Sequence, residues 1–355
     1  MKKILFIFLA VWLSACNNLS DFNDNPKAAT SVPAGSLFLN AQKELIDGMA
    51  STNVNENIFR LLSQQWAQTT YLDESNYNLT TRTIPQQWWH RMYRDVLKDL
   101  DEAKTIALAD EKLLASEKAT QVAMTEVLSV YAYSVLLNTF GDIAYSEALD
   151  FENLEPKYDN AATVHDALLT RLDAAITGLS GGSAGDFTSY DVLYAGDVSA
   201  WLMFANSLKL RLGMTLADSD PSKAKSVVES AVSAGVFHSN ADNASFKYVG
   251  ATPNTNPLWV DIVQSGRSDY VAANTLVDVM NNLDDPRRPS FFTPGANGIS
   301  FVGGIYGESN SYALYSHVGA FASDPTTEGL YLDYTEVAFY LAEAAARGMS
   351  VGGTA

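Results

Sequence analysis

The chain has 355 residues, 47% hydrophobic, 11% aromatic and 18% charged, and its 41 acidic against 23 basic side chains leave a net charge of −18. That length supports one large or two ordinary cores, and aromatics this frequent with charges this sparse exclude a disordered chain, because enough apolar area can be buried to offset the ordering entropy. An acidic total without any Lys/Arg cluster excludes nucleic acid as the main ligand, since a phosphate backbone would be repelled.

In chain order, Lys2 and Lys3 precede an apolar run from Ile4 to Leu13. As a helix this run covers about 15 Å, half of a bilayer's hydrocarbon core, so residues 1–15 read as a signal peptide and not as a spanning helix. Leu13-Ser14-Ala15-Cys16 follows, and Cys16 is the only cysteine, which rules out an internal disulfide. The quartet resembles the bacterial lipobox, whose cysteine is lipidated and becomes the first residue. Cys16 is therefore the expected lipid-attachment site, residues 16–32 a lipidated tether, and 33–355 the folded domain. No later stretch reaches eighteen apolar residues.

Helical periodicity dominates the next two hundred residues. Leu37, Ala41, Leu45 and Met49 recur at four-residue steps, and Ile58, Leu61, Leu62 and Trp66 suggest a second amphipathic helix. From Pro85, a favoured first-turn residue, Trp88, Met92, Val96 and Leu100 form another stripe that places Trp88 in the core. Val122 to Leu137 is apolar all round, the signature of a buried central helix, and is expected to stop at Gly141. Helices are also expected over Thr163 to Leu179, over the Trp201, Ala205, Leu208 and Leu212 stripe ending at Gly213, and over Lys223 to Ala234 behind Pro221. Residues 236–330 change character: they are rich in Asn, Gly, Pro, Ser and Tyr, with one helix expected at Asn274 to Leu283, and read as a loop-rich insertion of the kind that carries binding surfaces. Helical pattern returns from Asp333 to Arg347, where Tyr340-Leu341-Ala342-Glu343-Ala344 resembles the first helix of a tetratricopeptide repeat. The last helix has nothing after it to pair with, so a further C-terminal part is expected to be missing. The pattern is mainly α: degenerate helix pairs interrupted by long loops.

Catalytic and metal-binding frames are lacking. His90, His165, His238 and His317 are far apart and in no zinc-ligand spacing, no Gly-x-Ser-x-Gly elbow occurs, and no carboxylate pair is singled out. Asp284-Asp285 before Pro286-Arg287-Arg288 reads as a loop-holding ion pair. The sequence therefore points to no enzyme, no cofactor and no metal. Aromatics beside polar groups are the positive signal: Tyr71, Tyr77 and Trp89 around Asp73, and Trp259, Tyr270, Tyr306 and Tyr312 in the loop-rich region. Flat rings beside amide and carboxylate acceptors suit sugars, whose C–H face stacks while the hydroxyls are hydrogen-bonded. These eight residues are the candidate ligand-binding set, taken as a set because any single loop tyrosine is more often a packing residue.

Together, Cys16, Asn23-Asp24-Asn25-Pro26, Leu137-Asn138-Thr139-Phe140-Gly141-Asp142-Ile143-Ala144-Tyr145-Ser146-Glu147-Ala148-Leu149, the helix from Trp201 to Arg211, Asp285-Pro286-Arg287-Arg288, and Glu336-Val337 through Glu343-Ala344 resemble the SusD/RagB-like outer-membrane nutrient-binding lipoproteins. The resemblance runs in order along essentially the whole chain. It implies a tetratricopeptide-like α-α superhelix with loop insertions forming the ligand surface, and a non-enzymatic, lipid-anchored protein exposed at the cell outer membrane. It further implies a TonB-dependent, SusC-like transporter as partner, to which captured oligosaccharides are delivered. Peptide capture, in which the acidic surface would favour basic peptides, and a scaffold that binds only proteins stay open beside it. Micromolar binding of about −8 kcal/mol is expected, and alanine at Trp259 or Tyr270 is expected to weaken glycan retention with little loss of thermal stability.

Overall fold

The computed structural model describes residues 31–353. The expected signal peptide, Cys16 and nearly all of the expected tether lie outside the described residues. From Ala34 onward the chain packs as one unit, and among the described residues no helix is long and apolar enough to cross a membrane.

Among the described residues the longer α-helices are α1 (Ala34–Ala50), α2 (Ile84–His90), α3 (Lys98–Ala109), α4 (Ala115–Phe140), α5 (Ala161–Leu179), α6 (Val198–Thr215), α7 (Pro221–Ala234), α8 (Asn274–Asn282) and α9 (Tyr334–Ala346), with π-helical turns over Arg91–Leu97 joining α2 to α3. Side-chain caps explain several starts: Asn160 accepts from Ala162 and Thr163, Asp197 from Ser199 and Ala200, Asp220 from Lys223, and Asp333 from Glu336. Each such cap contributes about 1 kcal/mol by satisfying amide donors that a helix cannot satisfy itself. The central helix α4 buries residues on every side, including Met124, Val127, Leu128, Tyr131 and Leu136. It ends where Gly141 adopts φ +77°, a left-handed conformation that a side chain disfavours. Asp142 then accepts from the Ala161 amide at 2.8 Å, fastening the far end of the connecting loop to the start of α5.

Consecutive helices pack on one another, α3 on α4, α4 on α5, α5 on α6 and α6 on α7, while α1 lies along α3 and α9 closes on α6. The main core runs through all of them, with Phe38, Trp88, Met92, Tyr131, Trp201 and Phe204 fully buried. A polar thread crosses it. Tyr131 Oη donates to the Tyr331 carbonyl at 2.8 Å, and Tyr331 Oη donates in turn to the Gln42 carbonyl.

Among the described residues six short strands form three antiparallel two-stranded ribbons: β1 (Trp66–Gln68) with β5 (Tyr270–Ala272), β2 (Ile143–Ala144) with β3 (Tyr158–Asp159), and β4 (Ala244–Phe246) with β6 (Gly329–Leu332). In the first, Trp66 faces Ala272, Ala67 faces Val271 and Gln68 faces Tyr270. Small separate cores sit beneath the loop-rich region, one of them built on Ala67, Val271 and Ala273 and covered by Tyr306, Tyr312 and Tyr315.

Two sequence expectations are corrected. The Ile58–Trp66 stripe is not one helix: only Phe59–Leu62 is helical, Gln64 turns the backbone with φ +56°, and Trp66 enters β1. Ile58, Leu61 and Trp66 are buried as expected and Leu62 half-buried, but the strand they feed pairs with a segment some two hundred residues away, which local periodicity cannot register. Gly213 does not stop α6, which continues to Thr215. A Cβ on Gly213 would sit 2.9 Å from Val228 and 3.0 Å from Val227, so the glycine is where α7 crosses closest.

Candidate ligand-binding cleft

The β1–β5 ribbon positions the site. Gln68, at the end of β1, is almost fully buried and serves as the hub of the following loop. Its Nε2 donates to the Tyr71 carbonyl at 2.9 Å and to Glu74 Oε2 at 2.8 Å, while its Oε1 accepts from the Ser75 amide and hydroxyl at 3.1 and 2.6 Å. Held this way, Tyr71 and Tyr77 both take left-handed conformations, φ +55° and +58°, which bulky residues adopt only when the surroundings impose them. The fully buried Glu74 carboxylate is paired with Arg82. Arg82 in turn lies 5.9 Å from the centre of the Tyr71 ring, a cation–π contact, and Tyr71 is 61% exposed.

The opposite wall comes from the loop after α1 and from β5. Tyr270 Oη donates to the Thr52 carbonyl at 2.7 Å, and its ring lies 5.5 Å from that of Trp66. Burial holds the Tyr270 phenol above its usual range. Asp261 gathers the Ser51 hydroxyl and the Thr52 amide, each at 3.0 Å, and the Thr52 hydroxyl at 3.3 Å. Burial raises the Asp261 carboxyl despite these three donors. Arg267 and Asp269 pair at the rim. The walls enclose an open cleft of about 400 Å³, lined by Tyr71 and Tyr270, by the amides of Asn53, Asn55 and Gln68, and by Arg82, Arg267, Asp261 and Asp269. An exposed ring face among many fixed donors and acceptors can stack a sugar ring and bind its hydroxyls.

Of the eight candidate residues, the cleft is lined by Tyr71 and Tyr270. Tyr77 and Tyr306 do not line it. The Tyr77 hydroxyl accepts from Gln64 at 3.1 Å, and Tyr306 Oη donates to the Leu61 carbonyl at 2.6 Å. Burial first, then the neighbouring Tyr77 hydroxyl, pushes Tyr306 up to about 12. Asp73 closes its own loop, its backbone and side-chain oxygens accepting from Asn78. Tyr312 stacks flat on His317, 3.8 Å between ring centres. Trp259 is half-buried on a helical turn (Pro257–Trp259) and does not line this cleft. Trp89 stands elsewhere, stacked on Tyr93. The polar organisers Gln68, Arg82, Asp261 and Asn310 are absent from the sequence reading. Asn310 Nδ2 donates to the carbonyls of Gln68, Ile305 and Glu308, tying the 305–310 loop to the cleft. Single amides in loops look like turn formers, and only tertiary contacts distinguish these. Among the described residues no group of three His, Cys, Asp or Glu side chains is placed to hold a metal ion.

Residues 26–355 match the SusD-like family model described as starch-binding, associating with outer membrane. Solved structures of similar fold include a SusD homologue from Bacteroides uniformis, 28% identical with a TM-score of 0.73 over 90% of this chain and 67% of that one. A SusD/RagB family protein from Bacteroides thetaiotaomicron is 26% identical, with a TM-score of 0.76 over 89% of this chain and 68% of that one. A chitin-binding SusD homologue from Flavobacterium johnsoniae is 24% identical, with a TM-score of 0.72 over 90% and 67% of the two chains. No curated protein matches the chain.

Proposed function

The chain belongs to the SusD-like family, and from that premise we propose that it is a non-enzymatic glycan-capture protein of the outer membrane, binding an oligosaccharide in the cleft between Tyr71 and Tyr270. The observation that carries this reading is the open face of Tyr71, backed by Arg82 and surrounded by fixed amide and carboxylate groups. Stacking supplies affinity, and the hydroxyl contacts supply orientation. Both arginines of the cleft already have carboxylate partners, Glu74 and Asp269, so a peptide carboxylate would have to displace them. That argues against a ligand held by its carboxylates. In this reading Cys16 carries the lipid that fastens the protein to the outer membrane at the cell surface, and a TonB-dependent transporter receives the captured glycan.

The test is thermal shift and affinity-gel retention of the chain against oligosaccharides and peptides. A saccharide that raises Tm in proportion to the logarithm of its concentration supports glycan capture. A response to peptides alone overturns it in favour of peptide capture, and silence throughout leaves a protein-binding scaffold or an incomplete site.

A further inference from the structure

A second aromatic surface lies on the helical side of the molecule and shares no lining residue with the cleft. Trp89, on α2, stacks on Tyr93 with ring centres 4.6 Å apart, and abuts Phe140 edge-on at 5.2 Å. Tyr158, in β3, stands 5.7 Å from Trp89 with its plane turned by 51°, so the two rings make an open V. The floor is fixed. Tyr93 Oη donates to the Ala144 carbonyl, and Lys98 donates to the carbonyl of Leu149, a residue held at φ +66°. Trp89, Tyr93, Tyr158, Ala144 and Leu149, with Ala148, Pro156 and the exposed Glu155, line a space of about 520 Å³. Across Ala148 and Leu149 the shelf adjoins a polar pocket with Lys104, Arg171, Ser129 and Ser146 in its wall.

Tyr158 is 65% exposed on a loop that also displays Phe151 and Leu154. So much apolar surface on one loop marks a contact site, and its chemistry selects the class of ligand. A concave pair of splayed rings fits a pyranose C–H face, and a rim carboxylate at Glu155 accepts hydroxyl protons but repels anions. We propose that the Trp89–Tyr158 shelf is a second carbohydrate site, taking a neutral pyranose unit on the exposed surface that the two touching rings present, with neighbouring units of the same chain running into the adjoining polar pocket. The proposal rests on the glycan reading above and adds a second contact to it. Two weak sites on one polysaccharide raise retention without tightening either one.

The experiment titrates the full chain with maltohexaose and with chitohexaose, comparing the parent, Tyr71→Ala, Tyr158→Ala and the double variant. Tyr158 is exposed, so its replacement leaves Tm unchanged and any loss of binding is local. The expected result is residual binding in Tyr71→Ala that disappears in the double variant, with Tyr158→Ala alone losing about tenfold in retention on the insoluble polymer. Unchanged retention in Tyr158→Ala, or no residual binding in Tyr71→Ala, overturns the second site while leaving the first intact. A parent that binds neither sugar overturns both.

Discussion

Arg211 on α6 and Glu336 on α9 meet in a two-point ion pair, Nε to Oε1 and Nη2 to Oε2, both at 2.7 Å. Nη2 also reaches the Tyr331 carbonyl at 3.2 Å, and the guanidinium lies 5.3 Å from the centre of the Tyr131 ring. One side chain thus ties α9 and β6 to the central helix. Lysine could supply the charge but neither the fork nor the flat face.

Arg211→Ala is expected to lower stability by about 3 kcal/mol, because it leaves Glu336 unpaired and opens a gap over Tyr131. Arg211→Lys should recover less than half of that. Chemical denaturation of the three proteins measures it; a lysine variant as stable as the parent would show that charge alone matters here.

Gly213→Val should cost about 1–3 kcal/mol, since its Cβ would press on Val227 and Val228 across the α6–α7 contact. Gly235, whose added Cβ meets nothing, provides the contrast. There the cost of a side chain comes only from its φ of +105°, and Gly235→Asn should be milder than Gly235→Val. A Gly213→Val variant with an unchanged Tm would refute the close crossing.

These positions show how much of the molecule the sequence discloses. Helices α1 and α3 to α9 follow from apolar stripes, prolines and glycines within a few residues of one another, so local reading reaches them. The three ribbons pair segments with no local signature, and β1 hides inside a stripe that looks helical. The same limit governs the site. Tyr71 and Tyr270 stand out as aromatics in polar loops, yet they meet only because Gln68 and Tyr270 face each other across β1 and β5. The residues that shape the cleft are ordinary Gln, Asn, Asp and Arg whose partners are remote in sequence.

Acid should loosen the α3–α4–α5 contact. Burial raises the Glu126 carboxyl, but hydrogen bonding and charge from Arg171, with Lys104 beside it, more than offset this and hold it below its ordinary value of 4.5. A depressed folded value means the unfolded chain takes up the proton first, so this contribution is present above about pH 4.5 and is lost as pH falls through the folded value. Glu126→Gln should be less stable than the parent at pH 7, and the difference should shrink toward pH 3. Tm measured across that range tests it; a constant difference would mean the pair contributes through packing alone.

Binding and stability should separate at Tyr71 and not at Tyr270. The Tyr71 ring is 61% exposed on the cleft wall with Arg82 against it, so Tyr71→Ala should cost less than about 0.5 kcal/mol in stability yet weaken glycan binding about tenfold. Tyr270 packs on Trp66 and donates to Thr52, so Tyr270→Ala should lower Tm as well, which makes it a poorer probe of binding than its place in a loop suggests. Tyr270→Phe isolates the hydroxyl: it removes the tie to the Thr52 loop at about 1 kcal/mol and leaves the ring in place. If retention survives Tyr270→Phe and drops about tenfold in Tyr71→Ala, the sugar stacks on the exposed tyrosine. Retention lost in Tyr270→Phe and kept in Tyr71→Ala would move the contact to the Thr52 loop that Tyr270 positions.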